Sequence, residues 1–363
     1  MSRRSPGPIW SPARAAVAVL GAIALTGCSL FSDRAEHGPG ARDDRLTVVA
    51  SCYPVEFLAD WIGGDEIEVT SLTQPGQEPH DLEISARQRA RLERSDVALY
   101  VKGLQPSVDE AIRQSPVRTK LDVTTLTSVR TRERTGDRAA DGARSAHGAT
   151  DPHVWLDPVR YAEIAQGVGK ALEKADPRHA ATYRKTTGTL VKKLRALHTR
   201  YEDGLKAARG RVLLTTHAAF GYLAERYGLT QRAIAGLDPE SEPSAARIRE
   251  LRRTAREDHV TTVFYETLVS GDTARTLAED AHLRTDVLDP VEGITERSRG
   301  RDYLEVMEAN LRALRKAFGL GGREGAGKPS STGRPADSGD GDIGTSETSV
   351  TPEKGSEQAA GAR

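Results

Sequence analysis

Short apolar runs alternate with longer segments whose apolar positions recur every three or four residues, and this alternation fills residues 46–319. In the first half, Leu46–Ser51, Glu66–Leu72, Val97–Val101 and Val117–Val123 predict strands, with helices over Glu56–Ile62 and Ser85–Arg94. The pattern restarts after residue 210. Strands are predicted over Val212–Thr215, Gln231–Ala235, Val260–Tyr265 and Thr285–Leu288. Helices are predicted over Ala219–Tyr227, Ser244–Asp258, Thr273–Ala281 and Tyr303–Phe318. Strand–helix alternation means parallel sheets covered by helices. The expected fold class is therefore α/β, with two parallel-sheet domains.

Between the halves the period changes. Asp176-Pro177 is a cap followed by a proline at the first helical position, and Gly210 is the next stop signal. Leu190, Leu194, Leu197, Tyr201 and Leu205 form a helical stripe. A helix over 177–209 would be a rod of roughly 50 Å at 1.5 Å per residue. Gly188 and Gly204 weaken it by about 1 kcal/mol each relative to Ala. The expected organisation is an N-terminal domain over 46–176, a rigid linker helix over 177–209 and a C-terminal domain over 210–320. A rod that fixes the spacing of two domains permits only small movements between them.

Composition narrows the function classes. The chain has 363 residues, with 52 basic and 52 acidic side chains, so no electrostatic case exists for a nucleic-acid partner. Two cysteines exclude a disulfide scaffold. Arg3, Arg4 and Arg14 precede the apolar run Ala15–Leu25, the layout of a secretory signal peptide over 1–27. It ends in Leu25-Thr26-Gly27-Cys28, which resembles a bacterial lipobox and implies a lipid on Cys28. The alternative is ordinary cleavage near Gly27 with a free thiol. Residues 28–45 read as a flexible tether, 130–149 as a mobile loop and 321–363 as a disordered tail, because each lacks apolar periodicity.

Candidate chemistry lies at strand ends, where open α/β sheets bind ligands. His153 sits between two Asp-Pro corners, Asp151-Pro152 and Asp157-Pro158, on a loop stiffened from both sides, and a helix is expected to start at Pro158 with Asp157 as its cap. His217 follows the strand ending at Thr215, and Asp289 follows the strand ending at Leu288. His80 lies in the loop after Glu66–Leu72. Three imidazoles and a carboxylate suit tetrahedral Zn²⁺. Asp289 has a rival role as an Asp-Pro helix start, and water could take the fourth place instead. Glu242 and Glu266 are candidates to line the site, while Cys52 reads as a buried small hydrophobe. His37, His179, His198, His259 and His282 fall on the tether, the rod and helix ends, and are not expected at the site. The segment Val291 to Arg301 is rich in charge and reads as mobile.

Several motifs together resemble a known family. They are Tyr53-Pro54, Gly63-Gly64-Asp65, Gln74-Pro75-Gly76 through His80-Asp81-Leu82-Glu83, Asp151 to Pro158, Thr216-His217-Ala218-Ala219-Phe220-Gly221-Tyr222-Leu223, Glu242-Pro243-Ser244 and Leu288-Asp289-Pro290. In these the chain is similar to the zinc-binding (ZnuA-like, cluster A-I) solute-binding lipoproteins of metal ABC importers, over about 46–319. The resemblance implies His80, His153 and His217 as metal ligands in an interdomain cleft, with Zn²⁺ as transported ligand. It implies a lipid-anchored, extracytoplasmic monomer that is not an enzyme and hands its ion to an ABC permease with its ATPase. Relatives that carry manganese tend to have a carboxylate at the third ligand, where this chain has His217. The sequence departs from the pattern in two places. Loop 130–149 holds only His147 where many zinc relatives are His-rich, and Pro79 stands where some have an acid. Competing readings are a Mn²⁺ or Fe²⁺ carrier, a metal-dependent adhesin, and a zinc hydrolase, which would need a general base and has no HExxH.

Overall fold

The computed structural model describes residues 45–129 and 150–321. The expected signal peptide, Cys28, the tether before residue 45, loop 130–149 and the tail beyond 321 lie outside them. Two four-stranded parallel sheets are present among the described residues. The first joins β1 (Leu46–Ala50), β2 (Ile67–Ser71), β3 (Val97–Tyr100) and β4 (Thr119–Asp122) in the order β2-β1-β3-β4. The second joins β5 (Val212–Thr215), β6 (Thr230–Ala233), β7 (Thr262–Tyr265) and β8 (Arg284–Val287) in the order β6-β5-β7-β8. The halves repeat one another in register. Ala50 pairs with Leu99 as Thr215 pairs with Phe264, and the next N–H continues each ladder, Ser51 to Leu99 at 2.9 Å and Thr216 to Phe264 at 3.0 Å. All strands run parallel, and the strand order switches sides between β1 and β3 and between β5 and β7, so both halves open a crevice at their carboxyl ends.

The helices of the first half are α1 (Tyr53–Gly63), α2 (Ala86–Arg94), α3 (Pro106–Gln114) and α4 (Pro158–Ala175). Those that follow are α5 (Ala180–Leu205), α6 (Gly221–Tyr227), α7 (Ala245–Glu257), α8 (Asp272–Ala281) and α9 (Tyr303–Ala317). Local chemistry explains their starts. Ser85 and Gln88 form a reciprocal capping box on α2, Asp157 accepts from Val159 N–H ahead of Pro158, and Asp302 accepts from Glu305 N–H. Helix α3 was not among the elements predicted above. Its signals are Pro106 at the first position and buried Val108, Ala111 and Ile112 at helical spacing.

The linker is shorter than expected as a regular helix. α5 has 26 residues, about 39 Å at 1.5 Å each. Single 3-10 turns, Pro177–His179 and Lys206–Ala208, extend it at both ends. Its stripe of Leu190, Leu194, Leu197, Tyr201 and Leu205 is wholly buried. The stripe packs on α1 and α4 from one half and on α6 and α9 from the other. Gly169 lets α4 and α5 approach closely, since a Cβ there would collide with the Thr187 side chain. The largest apolar cluster runs from β1 through α4 and α5 to α6 and α9, so the two sheets share one core. Within it Tyr161 and Tyr303 pack with their rings tilted by 39° and ring centroids 4.4 Å apart. No helix among the described residues is long and apolar enough to cross a membrane.

Candidate metal centre

Four side chains converge where the carboxyl ends of the two sheets meet: His80, His153, His217 and Glu292, with all four donor atoms within 4.8 Å of one another. His80 is delivered by the loop after β2. His153 is delivered by a turn that its own neighbour builds, for Asp151 Oδ1 accepts the His153 backbone N–H at 3.0 Å and faces its Nδ1 at 2.9 Å. Tyr222 and Arg226 of α6 clamp the same loop, donating to the Asp151 carbonyl at 2.9 Å and to Asp157 at 2.8 Å. His217 caps the end of β5. Gln231 Nε2 and Thr215 Oγ1 both donate to its carbonyl, at 3.1 and 2.7 Å.

The Nε2 atoms of His80 and His217 stand 3.3 and 3.5 Å from His153 Nε2. Glu292 Oε1 stands 3.1 Å from His153 Nε2, 3.4 Å from His80 Nε2 and 3.7 Å from His217 Nε2. Zinc–nitrogen and zinc–oxygen bonds near 2.0–2.1 Å give a tetrahedron with edges of about 3.3–3.4 Å. The four donors therefore already lie at the spacing of a zinc polyhedron.

Asp289, expected at the fourth place, is not among the four side chains that converge. Its carboxylate is engaged within its own turn and with a neighbouring loop: Oδ1 accepts Val291 N–H at 2.8 Å and Oδ2 accepts the Thr267 hydroxyl at 2.9 Å. Asn310 of α9 clamps it further, accepting Asp289 N–H at 3.0 Å and donating to its carbonyl at 2.7 Å. The result is a tight buried turn that carries the chain three residues on and turns Glu292 into the site. Val291 pays for this with φ +59, a left-handed conformation that a β-branched residue rarely adopts. The stretch read as mobile is thus fixed at its start, with Asp289, Val291 and Glu292 each at most 2% exposed.

Two further carboxylates stand behind imidazoles. Asp151 faces His153, and Glu266 faces His217 Nδ1 at 2.5 Å. Such outer partners fix the ring and raise its basicity as a ligand. Glu266 directly follows β7 as His217 follows β5 by two residues, so the strand-end rule reaches it. Glu242, the other lining candidate, is exposed on the loop before α7. Cys52 is fully buried, as expected, and burial pushes its thiol up to about 12. His179 pairs with Asp176 and Glu66, and His198 with Tyr227 and Glu202. His259 and His282 take left-handed positions after helices, with φ 51 and 54. None of these four histidines belongs to the group.

The electrostatics bind the cluster together. Burial alone would depress His153 and His217. For His153 the hydrogen bonds to Asp151 and Glu292 more than offset it, and for His217 the charge and hydrogen bond of Glu266 do so. His153 ends above the usual imidazole value and His217 well above it. Burial would raise Glu292, but the three imidazoles hold it well below the usual carboxylate value. The facing carboxylates thus favour a proton on His153 and His217, and a dication can replace those protons.

The comparisons agree with this chemistry. The family described as zinc-uptake complex component A, periplasmic, matches residues 48–317. The zinc-binding lipoprotein AdcA of Streptococcus pneumoniae is 35% identical over 296 residues, which are 80% of this chain and 59% of that protein. The chain thus spans little more than half the length of that relative. The high-affinity zinc uptake system protein ZnuA of Bacillus subtilis is 32% identical over 284 residues, covering 77% of this chain and 89% of that protein. Among solved structures, the Zn(II)-bound ZnuA-like domain of S. pneumoniae AdcA is similar with a TM-score of 0.63 and 33% identity, over 75% of this chain and 98% of that one. The laminin-binding protein Lmb of Streptococcus agalactiae, described as having adhesin and metal transporting activity, is similar with a TM-score of 0.65 and 28% identity, over 75% and 99%.

Proposed function

The chain belongs to the family of zinc-uptake complex component A, periplasmic, and from that membership we propose that it captures Zn²⁺ outside the cytoplasm and delivers it to an ABC-type importer. The ion is held by His80, His153, His217 and Glu292. The observation that carries this reading is the spacing of those four donors, 3.1–3.7 Å for the five edges quoted above. Three neutral imidazoles with one carboxylate favour Zn²⁺ over Mn²⁺, which prefers oxygen donors.

The same geometry supports carriage over catalysis. A catalytic zinc keeps a position open for water or substrate. Here Glu292 closes the fourth position, and His153, His217 and Glu292 are at most 1% exposed. A cargo ion is enclosed by such a site; a hydrolytic one would be shut off from its substrate. The membrane anchor on Cys28, the permease and its ATPase belong to the same proposal and rest on the lipobox and on family membership. Metal analysis of protein purified without chelator tests the reading, followed by competition titration with Zn²⁺ and Mn²⁺. One tightly held zinc per chain is expected. Protein that holds no zinc, or that prefers manganese, would overturn it.

A further inference from the structure

The three imidazoles are not equally supported. His153 and His217 each have a carboxylate behind Nδ1, whereas both carboxylate contacts of His80, to Glu78 and Glu292, run through Nε2, the atom facing the other donors. The His80 side chain is also the most exposed of the four, at 9% against 0–1% for the others. The site therefore opens on the His80 side. Glu78 stands at that opening, its side chain 16% exposed and its Oε1 4.0 Å from His80 Nε2. Its loop meets the segment after Glu292, where the Cβ position of Gly76 lies 3.7 Å from Thr295 Cγ2. Two carboxylates thus face the site from opposing loops.

Glu78 Oε2 accepts Asp81 N–H at 3.3 Å, but Oε1 is buried with no hydrogen-bond partner among the described residues. A buried carboxylate oxygen without a donor is costly, and such a group calls for a physical explanation. It is not a fifth resident ligand, because it lies outside the group whose donors complete the tetrahedron. We propose that Glu78 is a transient metal donor at the mouth: with His80 it receives incoming Zn²⁺ and yields it to Glu292 as the ion settles, and the reverse order releases it. This inference rests on the zinc reading above.

A donor used only in passage lowers the barrier in both directions and leaves the end states alone. Stopped-flow loading of the full chain with Zn²⁺, chelator-driven release, and an equilibrium competition titration test this directly. For Glu78→Gln, loading and release should both slow by about tenfold, with Kd within about twofold of the wild type. Glu78→Asp, which restores the charge on a shorter arm, should recover part of both rates. Unchanged rates in Glu78→Gln would overturn the proposal, as would a Kd weakened as far as that of Glu292→Gln, which would make Glu78 a resident ligand. Wild-type protein that takes up no zinc would overturn the metal-site reading itself, a different outcome from normal uptake with an unaltered variant.

Discussion

The indole N–H of Trp155 donates to the carbonyl oxygen of Pro290 at 2.7 Å, tying the loop that carries His153 to the turn that carries Glu292. Tyr303 of α9 donates in turn to the Trp155 carbonyl at 2.6 Å. Two donors from opposite halves of the chain are thereby held at one separation. Trp155→Phe keeps an apolar ring and removes the bond. Zinc affinity should fall by about tenfold, the lower end of the range for lost outer supports. The fold should lose only about 1 kcal/mol, the net worth of one hydrogen bond. Chelator-competition titration and urea melts measure the two separately.

The structure separates two acids that lie three residues apart. Structural zinc sites bind with roughly 10–16 kcal/mol, so each of four donors is worth about 3 kcal/mol, or on the order of 100-fold in affinity. His80→Ala, His153→Ala, His217→Ala and Glu292→Gln should each lose at least that much. Asp289→Asn keeps an acceptor for Val291 N–H and should lose far less. Equal losses in Glu292→Gln and Asp289→Asn would make Asp289 a ligand after all.

Glu266 acts on zinc through His217. Glu266→Gln keeps an oxygen facing the ring and removes the charge that, after burial, is the main influence on His217. Zinc affinity should drop about 10- to 100-fold. In the metal-free protein His217 should titrate at lower pH than in the wild type. An NMR titration of the imidazole reads this second effect, which a merely structural role for Glu266 would not produce.

The pH dependence has a definite sign. His153 and His217 are raised from 6.5 in the metal-free protein, while Glu292 is lowered and already charged. Zinc must displace protons from the imidazoles, so apparent affinity falls as pH falls, and the loss begins above pH 6.5. Without zinc, the raised imidazoles stabilise the fold fully below their unfolded pKa of 6.5, and that contribution is lost as pH rises through their folded values. Both effects point the same way: the increase in Tm on adding zinc should widen from about pH 5.5 to pH 8. Thermal melts with zinc and with chelator across that range give the answer. A constant increase would mean that no imidazole proton is displaced.

What could be read from the sequence was what neighbouring residues decide among themselves. The period of Leu190, Leu194, Leu197 and Tyr201, the caps at Asp157 and Asp176, and the alternating strands and helices depend on contacts within a turn or a ladder. So does the placement of His217 and Glu266, each directly at a strand end. Helix α3 carries the same kind of local signal in Pro106, but its buried apolar stripe is only three residues and makes a weak period. The carboxylate that faces the histidines was of another kind. Asp289 and Glu292 both follow β8, and Asp289 is the nearer to the strand end. Which one enters the site is settled by Thr267 after β7, by Asn310 on α9 and by Trp155 from the other half of the chain. Those contacts keep Asp289 engaged in its own turn and hold Val291 in a conformation it would not choose alone. A turn strained by distant partners leaves no periodic trace in its own residues, so only the tertiary structure could show which carboxylate faces the histidines.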